Sequence, residues 1–219
     1  KYDAGGSKPS ALAGSTIQVD PASYEGFTFS QVVYENTSTT VAAGVNAVAA
    51  DGKTVAKLYY THNSYAYTAH FVDQKGRTVA GDATYTAAFE ATVGLADCDV
   101  TLLPPEVAGY DTSSCVATAL KIGTNEAANQ VTVTYGAASF TLTVDANGGT
   151  WSHVDATEIG EGVYEVADVA YDSEVLLEQP SRTGYTFDHW VVTGAKSKIS
   201  GSTFTQGTQA ATLTAVWRG

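Results

Sequence analysis

Positive charge is scarce in this chain: 11 Lys and Arg stand against 23 Asp and Glu, a formal net charge of −12. A surface of that sign repels phosphate backbones and anionic headgroups, so no nucleic acid partner is expected. No run of eighteen or more apolar residues occurs, so direct membrane insertion of this segment is not expected either. A basic, apolar leader is missing at Lys1, and the chain reads as a segment of a longer polypeptide. Histidine is rare and dispersed. His62, His70, His153 and His189 stand at no ligand spacing to one another, and no GxSxG, HExxH or phosphate-cradling glycine loop is present. No enzyme activity, metal or cofactor is expected.

Cysteine is limited to Cys98 and Cys115, which bracket Pro104, Pro105 and Gly109. An antiparallel return of the chain would bring the sulfurs together, and a disulfide there would stabilise a small module by roughly 3 kcal/mol. Two separate buried thiols are the alternative.

What the chain does have is a phrase used three times. An alternating apolar run leads through proline to Gly plus an aromatic residue, at Gly26-Phe27, Gly109-Tyr110 and Gly184-Tyr185. A period of about eighty residues is the signature of a tandem array. Each copy closes on an aromatic-ended strand: Ala56 to Tyr60, Val131 to Tyr135, and Thr212 to Trp217. With 13 Tyr, 21 Gly and many Thr and Val, the array is expected to be mainly β. Hairpins are predicted from Tyr65 to Asp73, turning at Gln74-Lys75-Gly76, and from Phe140 to Asp145, turning at Asn147-Gly148. Phe27 and Phe29, like Tyr185 and Phe187, share one strand face, whereas Val32 and Trp190 fall on the other parity. Keeping these in the core requires a bulge at Gln31 and His189. Residues 79–95 suit a short helix or a strand equally. Residues 1–15, rich in Gly, Ser and Ala, read as a linker or severed unit. The junctions Tyr60 to Tyr65 and Tyr135 to Phe140 are short, which predicts an elongated array.

The third copy carries Leu142 to Thr150 with its Asp145-Ala146-Asn147-Gly148-Gly149 ending, then Gly184-Tyr185-Thr186-Phe187-Asp188-His189-Trp190, then Ala211 to Trp217. It resembles the Listeria-Bacteroides repeat, the internalin-type B repeat, with His189 where that pattern has glycine. The middle copy, with Thr68 to Gly76, Gly109-Tyr110 and Val131 to Tyr135, resembles the mucin-binding-protein (MucBP) repeat. The first, with Gly26 to Phe29, Ala50 to Val55 and Leu58 to Thr61, resembles the closing part of such a repeat. These resemblances imply small β-grasp-like α+β modules in large secreted or wall-attached bacterial proteins: an incomplete one over 1–64, a second over 65–137 and a third over 138–219.

Other motifs have simpler explanations. Asp145 to Gly149 looks like a calcium-loop start, but Ala156 stands where the bidentate Glu belongs. Lys57 alternates with apolar neighbours and points outward, against a Lys-Asn cross-link. Asn36-Thr37-Ser38 is a glycosylation sequon, which the bacterial resemblance implies is of no consequence. Tyr59 and Tyr60 sit at successive strand positions, so one faces away from the side the other covers. The outward one, with Tyr34, Tyr65 and Tyr67, is the candidate patch for stacking on a sugar. The expectation is a non-enzymatic stalk, spacer or adhesion segment, extracellular and secreted or wall-attached. Its possible partners are a host glycoprotein, mucin or another surface protein. The alternatives are a glycan-binding module and the non-catalytic tail of a secreted enzyme.

Overall fold

Strands alternate buried and exposed residues through most of the molecule, the pattern of sheets with one face on a core. The structure, a computed structural model, describes residues 12–15, 19–38 and 47–219, with the side chains of 37, 38, 47 and 48 outside the description. Residues 1–11 of the expected linker, and Ile17 and Gln18 of the first phrase, lie outside the described residues.

In chain order the strands are β1 (Phe27–Glu35), β2 (Thr37–Ser38), β3 (Ala47–Val48), β4 (Val55–His62), β5 (Ser64–Asp73), β6 (Thr78–Ala88), β7 (Thr92–Gly94), β8 (Val100–Thr101), β9 (Tyr110–Ala117) and β10 (Leu120–Lys121). They continue with β11 (Gln130–Ala137), β12 (Ser139–Asp145), β13 (Ala156–Gly160), β14 (Val163–Ala170), β15 (Glu174–Leu176), β16 (Thr186–Thr193), β17 (Lys198–Ser200), β18 (Thr203–Thr205) and β19 (Ala211–Arg218). Among the described residues there is no α-helix, only a 3₁₀ turn at Glu126–Ala128. The helix that an α+β grasp implies is therefore not found there. The run considered for a helix, 79–95, forms most of β6 and then β7, in keeping with its Val, Thr and Tyr content.

Each sheet takes its strands from one stretch of sequence. β1-β4 and β2-β3 come from the first, β6-β5-β11-β9 and β10-β7-β8 from the middle, and β13-β14-β12-β19-β16 and β15-β18-β17 from the last. In the last stretch β12 and β19 pair in parallel at the centre, Leu142 opposite Ala211 through Asp145 opposite Thr214.

Contacts gather the chain into two compact units, and β5, β6 and β11 contribute residues to both. One comprises Lys1–Thr68, Thr84–Thr101 and Ala119–Val131; the other comprises Ala69–Ala83, Leu102–Thr118 and Thr132–Gly219. In the first unit Tyr67, Val93, Ile122 and Val131 are buried. Asn129 is buried with them, its Oδ1 accepting the Gly123 N–H and its Nδ2 donating to the carbonyls of Ala66 and Gly123. In the second unit Leu142, Val144, Val166, Phe204 and Leu213 form a core with Trp151, whose Nε1 donates to the Glu178 carbonyl at 3.0 Å.

The expected bulges are present, one residue earlier than the parity argument put them. Phe29 faces Tyr60 and Gln31 faces Tyr59, leaving Ser30 as the extra residue, while Phe187 faces Trp217 and His189 faces Val216, leaving Asp188. The shift puts Phe187 and Trp190 on one side, with ring centroids 5.3 Å apart. Asp188 is held by Arg218 and by His189 Nδ1. Burial pushes its carboxyl up, but the bonds from His189 and Arg218 outweigh this and hold it below the usual range.

The hairpin at Gln74-Lys75-Gly76 forms between β5 and β6. The one at Asn147-Gly148 does not. Asn147 and Gly148 take φ of 47° and 77°, and Gly149 N–H closes the turn on the Ala146 carbonyl. The chain then leaves β12, bridges Thr150 to Ser181, and returns to β12 only through β14, whose own hairpin with β13 turns at Glu161 and Gly162. Local turn chemistry is as expected, but a distant strand takes the pairing.

Candidate functional site

The repeated glycines close three turns of one kind. Phe27 N–H bonds the Tyr24 carbonyl at 3.1 Å, Tyr110 N–H bonds Val107 at 3.0 Å, and Tyr185 N–H bonds Arg182 at 3.1 Å. Gly26, Gly109 and Gly184 occupy the third position with φ of 78°, 90° and 79°. That left-handed conformation is one reason for glycine.

The second reason is what lies against two of them. β4 and β5 are separated by Asn63 alone, and β11 and β12 by Ala138 alone. Asn63 N–H donates to the Gly26 carbonyl at 2.8 Å, and its own carbonyl accepts from Phe89 N–H at 2.7 Å. Ala138 N–H donates to the Gly109 carbonyl at 2.9 Å, and the Ala138 carbonyl accepts from Tyr171 N–H at 2.8 Å. The Phe89 ring then covers Gly26, and a Cβ on Gly109 would come within 2.7 Å of the Tyr171 ring. The residue after each glycine meets the same ring edge-on, Phe27 with Phe89 at 5.5 Å and Tyr110 with Tyr171 at 5.3 Å. The first junction lies wholly in the first unit and the second wholly in the second.

Each covering ring is itself fixed by a turn. Ala91 N–H bonds the Ala88 carbonyl and Ser173 N–H bonds Ala170, with Glu90 and Asp172 at φ of 65° and 60°. Glu90 N–H bonds the Ile122 carbonyl, and Asp172 N–H bonds the Gln206 carbonyl. Sequence reasoning missed Phe89 and Tyr171. The signal was present in Ala88-Phe89-Glu90-Ala91 against Ala170-Tyr171-Asp172-Ser173, two similar tetrapeptides outside the phrases that define the repeat.

The second junction adds charge. Asp73, only 5% exposed, takes the backbone N–H groups of Lys75 and Arg77 on Oδ1, and Arg77 Nε at 2.7 Å and Tyr110 O–H at 3.2 Å on Oδ2. Arg77 reaches on to Asp172 at 2.9 Å, where Lys75 joins at 3.2 Å. Burial pushes the Asp73 carboxyl up, yet the bonds from Arg77, Lys75 and Tyr110 prevail and hold it below the ordinary range. Lys75 and Arg77 hold the Asp172 carboxyl low as well, and the two carboxylates raise the Arg77 guanidinium. Burial pushes the Tyr135 phenol up to about 12 beside them. The half-open pocket here is small, about 50 Å³, room for a few waters.

The five tyrosines singled out from the sequence do not assemble into a patch. Tyr59, 45% exposed, faces outward opposite Gln31, on the same side of the β1-β4 pair as Val33 and Val55. Tyr34 and Tyr60 lie on the other side, half-buried, with Tyr60 O–H donating to the Ala22 carbonyl. Tyr65 packs against Phe89, and Tyr67 is buried against Tyr85. A wider polar groove of about 710 Å³ lies in the second unit, lined among others by Glu158, Glu161, Ser181 and Arg182. Among the described residues no three His, Cys, Asp or Glu side chains gather as a metal-binding group.

The expected disulfide is not formed: Cys98 and Cys115 are both free and half-buried. Cys98 Sγ sits over Gly94, and Cys115 Sγ turns to the Asp111 carbonyl of its own irregular strand at 4.0 Å. Burial, with Asp111 and Glu106 nearby, pushes the Cys115 thiol up. Alkylation of the unfolded chain without reductant is expected to label two thiols, and reductant to leave the unfolding midpoint unchanged. A bridge would instead lose roughly 3 kcal/mol on reduction. No protein-family model matches this chain, and no curated protein matches it in sequence.

Proposed function

We propose that the chain is a non-enzymatic tandem-repeat segment of an extracellular bacterial surface protein, secreted or wall-attached, acting as a stalk, spacer or adhesion module. Its units are β-grasp-like, of the mucin-binding-protein and Listeria-Bacteroides kinds. The strand orders β6-β5-β11-β9 and β14-β12-β19-β16 support that reading, since each places the first and last strands of a copy side by side. The observation that carries the function is the repeated junction: one residue, bonded on both sides, with an aromatic ring seated on glycine. A chain built to hold successive copies needs such a device, because a one-residue connection backed by packing restricts swing far more than a free linker does.

Inserting Gly-Ser-Gly-Ser behind Ala138 is expected to loosen this coupling, splitting or broadening the thermal unfolding transition in calorimetry. An unchanged transition would refute the spacer reading. Exposed Tyr59 and the polar groove favour the rival, binding of mucin or another glycan. A glycan array is expected to give no sugar-dependent signal, and a signal lost in Tyr59→Ala or Arg182→Ala would establish the rival instead.

A further inference from the structure

The third glycine turn has the parts of the other two and lacks their ring. Gly184 closes the same turn at nearly the same φ as Gly26, but a Cβ built on it meets nothing within 4 Å. Tyr185 stands 47% exposed, whereas its counterparts Phe27 and Tyr110 are half-buried under Phe89 and Tyr171. The Arg182 guanidinium lies 4.1 Å over the Tyr185 ring, but no atom covers the glycine beside it, which leaves this turn open to a further ring.

Register says what would fill it. Phe27 pairs with His62 and Tyr110 with Ala137, each one residue before the junction residue. Thr186 pairs with Arg218, so the same register puts Tyr185 opposite Gly219 and Gly184 opposite the position behind it. We infer that the Gly184 turn is a docking site for a further copy of this module joined directly behind Gly219, the copy placing its counterpart of Phe89 and Tyr171 on Gly184. The inference rests on the tandem reading and names the partner of its third junction. The occupant is committed by two precedents in this chain, both using a Phe or Tyr ring and both fed by a single connecting residue.

The test repeats residues 138–219 behind Gly219 of the full chain, so that a second Ala138 falls at the junction position. NMR then reads three glycines at once. Gly26 and Gly109 lie under rings, and their Hα signals are expected upfield in both chains. Gly184 Hα is expected at an ordinary position in the 219-residue chain and upfield in the extended one. The amide of the second Ala138 is expected to exchange more slowly by on the order of tenfold or more. Tyr171→Ala in the added copy alone should return Gly184 Hα to its original position. A Gly184 signal that stays put overturns the inference, as does an added copy that fails to fold, since the same residues fold behind Ala137. Ordinary shifts at Gly26 and Gly109 would instead overturn the junction reading itself, so the two failures are told apart.

Discussion

Gly109→Ala is expected to destabilise the protein by about 4 kcal/mol, against about 1 kcal/mol for the same change at Gly184. Both positions are left-handed, and an L-residue there costs roughly 1–2 kcal/mol. Only at Gly109 does the new methyl also enter the Tyr171 ring, 2.7 Å from its carbons. Displacing a packed ring adds overpacking of about 1–3 kcal/mol. Chemical denaturation of the two variants measures the difference directly. Adding Tyr171→Ala should recover part of the Gly109→Ala loss, because contacting residues are not additive. Equal losses at both glycines would mean that the ring contributes nothing to the junction.

The second large effect belongs to Asp73. Asp73→Ala is expected to cost about 3 kcal/mol, since it takes the acceptor from two backbone N–H groups, from Arg77 and from the Tyr110 hydroxyl in a buried setting. The charge of this cluster also makes stability depend on pH. The bonds from Arg77 and Lys75 hold the folded-state pKa values of Asp73 and Asp172 below the ordinary carboxylate range, so each favours the folded state above that range. That contribution is lost as pH falls below about 4 towards the folded values, because the unfolded chain binds the protons first. The unfolding midpoint should therefore fall below about pH 4, and less steeply in Asp73→Asn. Parallel slopes for the two proteins would remove Asp73 from the account.

Much of this fold is legible in local sequence. Alternation locates β5, β11, β12 and β19, and the mismatch between Phe187 and Trp190 demands a bulge because the period of a strand is two. What was not legible depends on distant partners. Asn147-Gly148 has turn chemistry, but β14 rather than the next strand completes the ladder. Cys98 and Cys115 have a plausible spacing, but the irregular run in β9 turns one sulfur onto its own strand. Tyr67 reads like Tyr59 in isolation, yet it is buried, with Tyr85 returning against it. Of the junction, the glycines and short connections could be read directly. The rings of Phe89 and Tyr171 were harder to read, because they arrive from far along the chain and only the similar tetrapeptides Ala88 to Ala91 and Ala170 to Ser173 mark their turns.

The central pairing of the last stretch has a mechanical consequence. β12 begins directly after Ala138 and β19 runs to Arg218, and the two lie in parallel, Leu142 beside Ala211 through Asp145 beside Thr214. Tension drawn from opposite ends of parallel neighbours slides one strand past the other, so the cross-links between them resist together. An antiparallel pair pulled from one end opens like a zip, one rung at a time. If the chain carries load as a spacer, this arrangement is expected to resist it through cooperative shear, independent of how much apolar area the sheet buries.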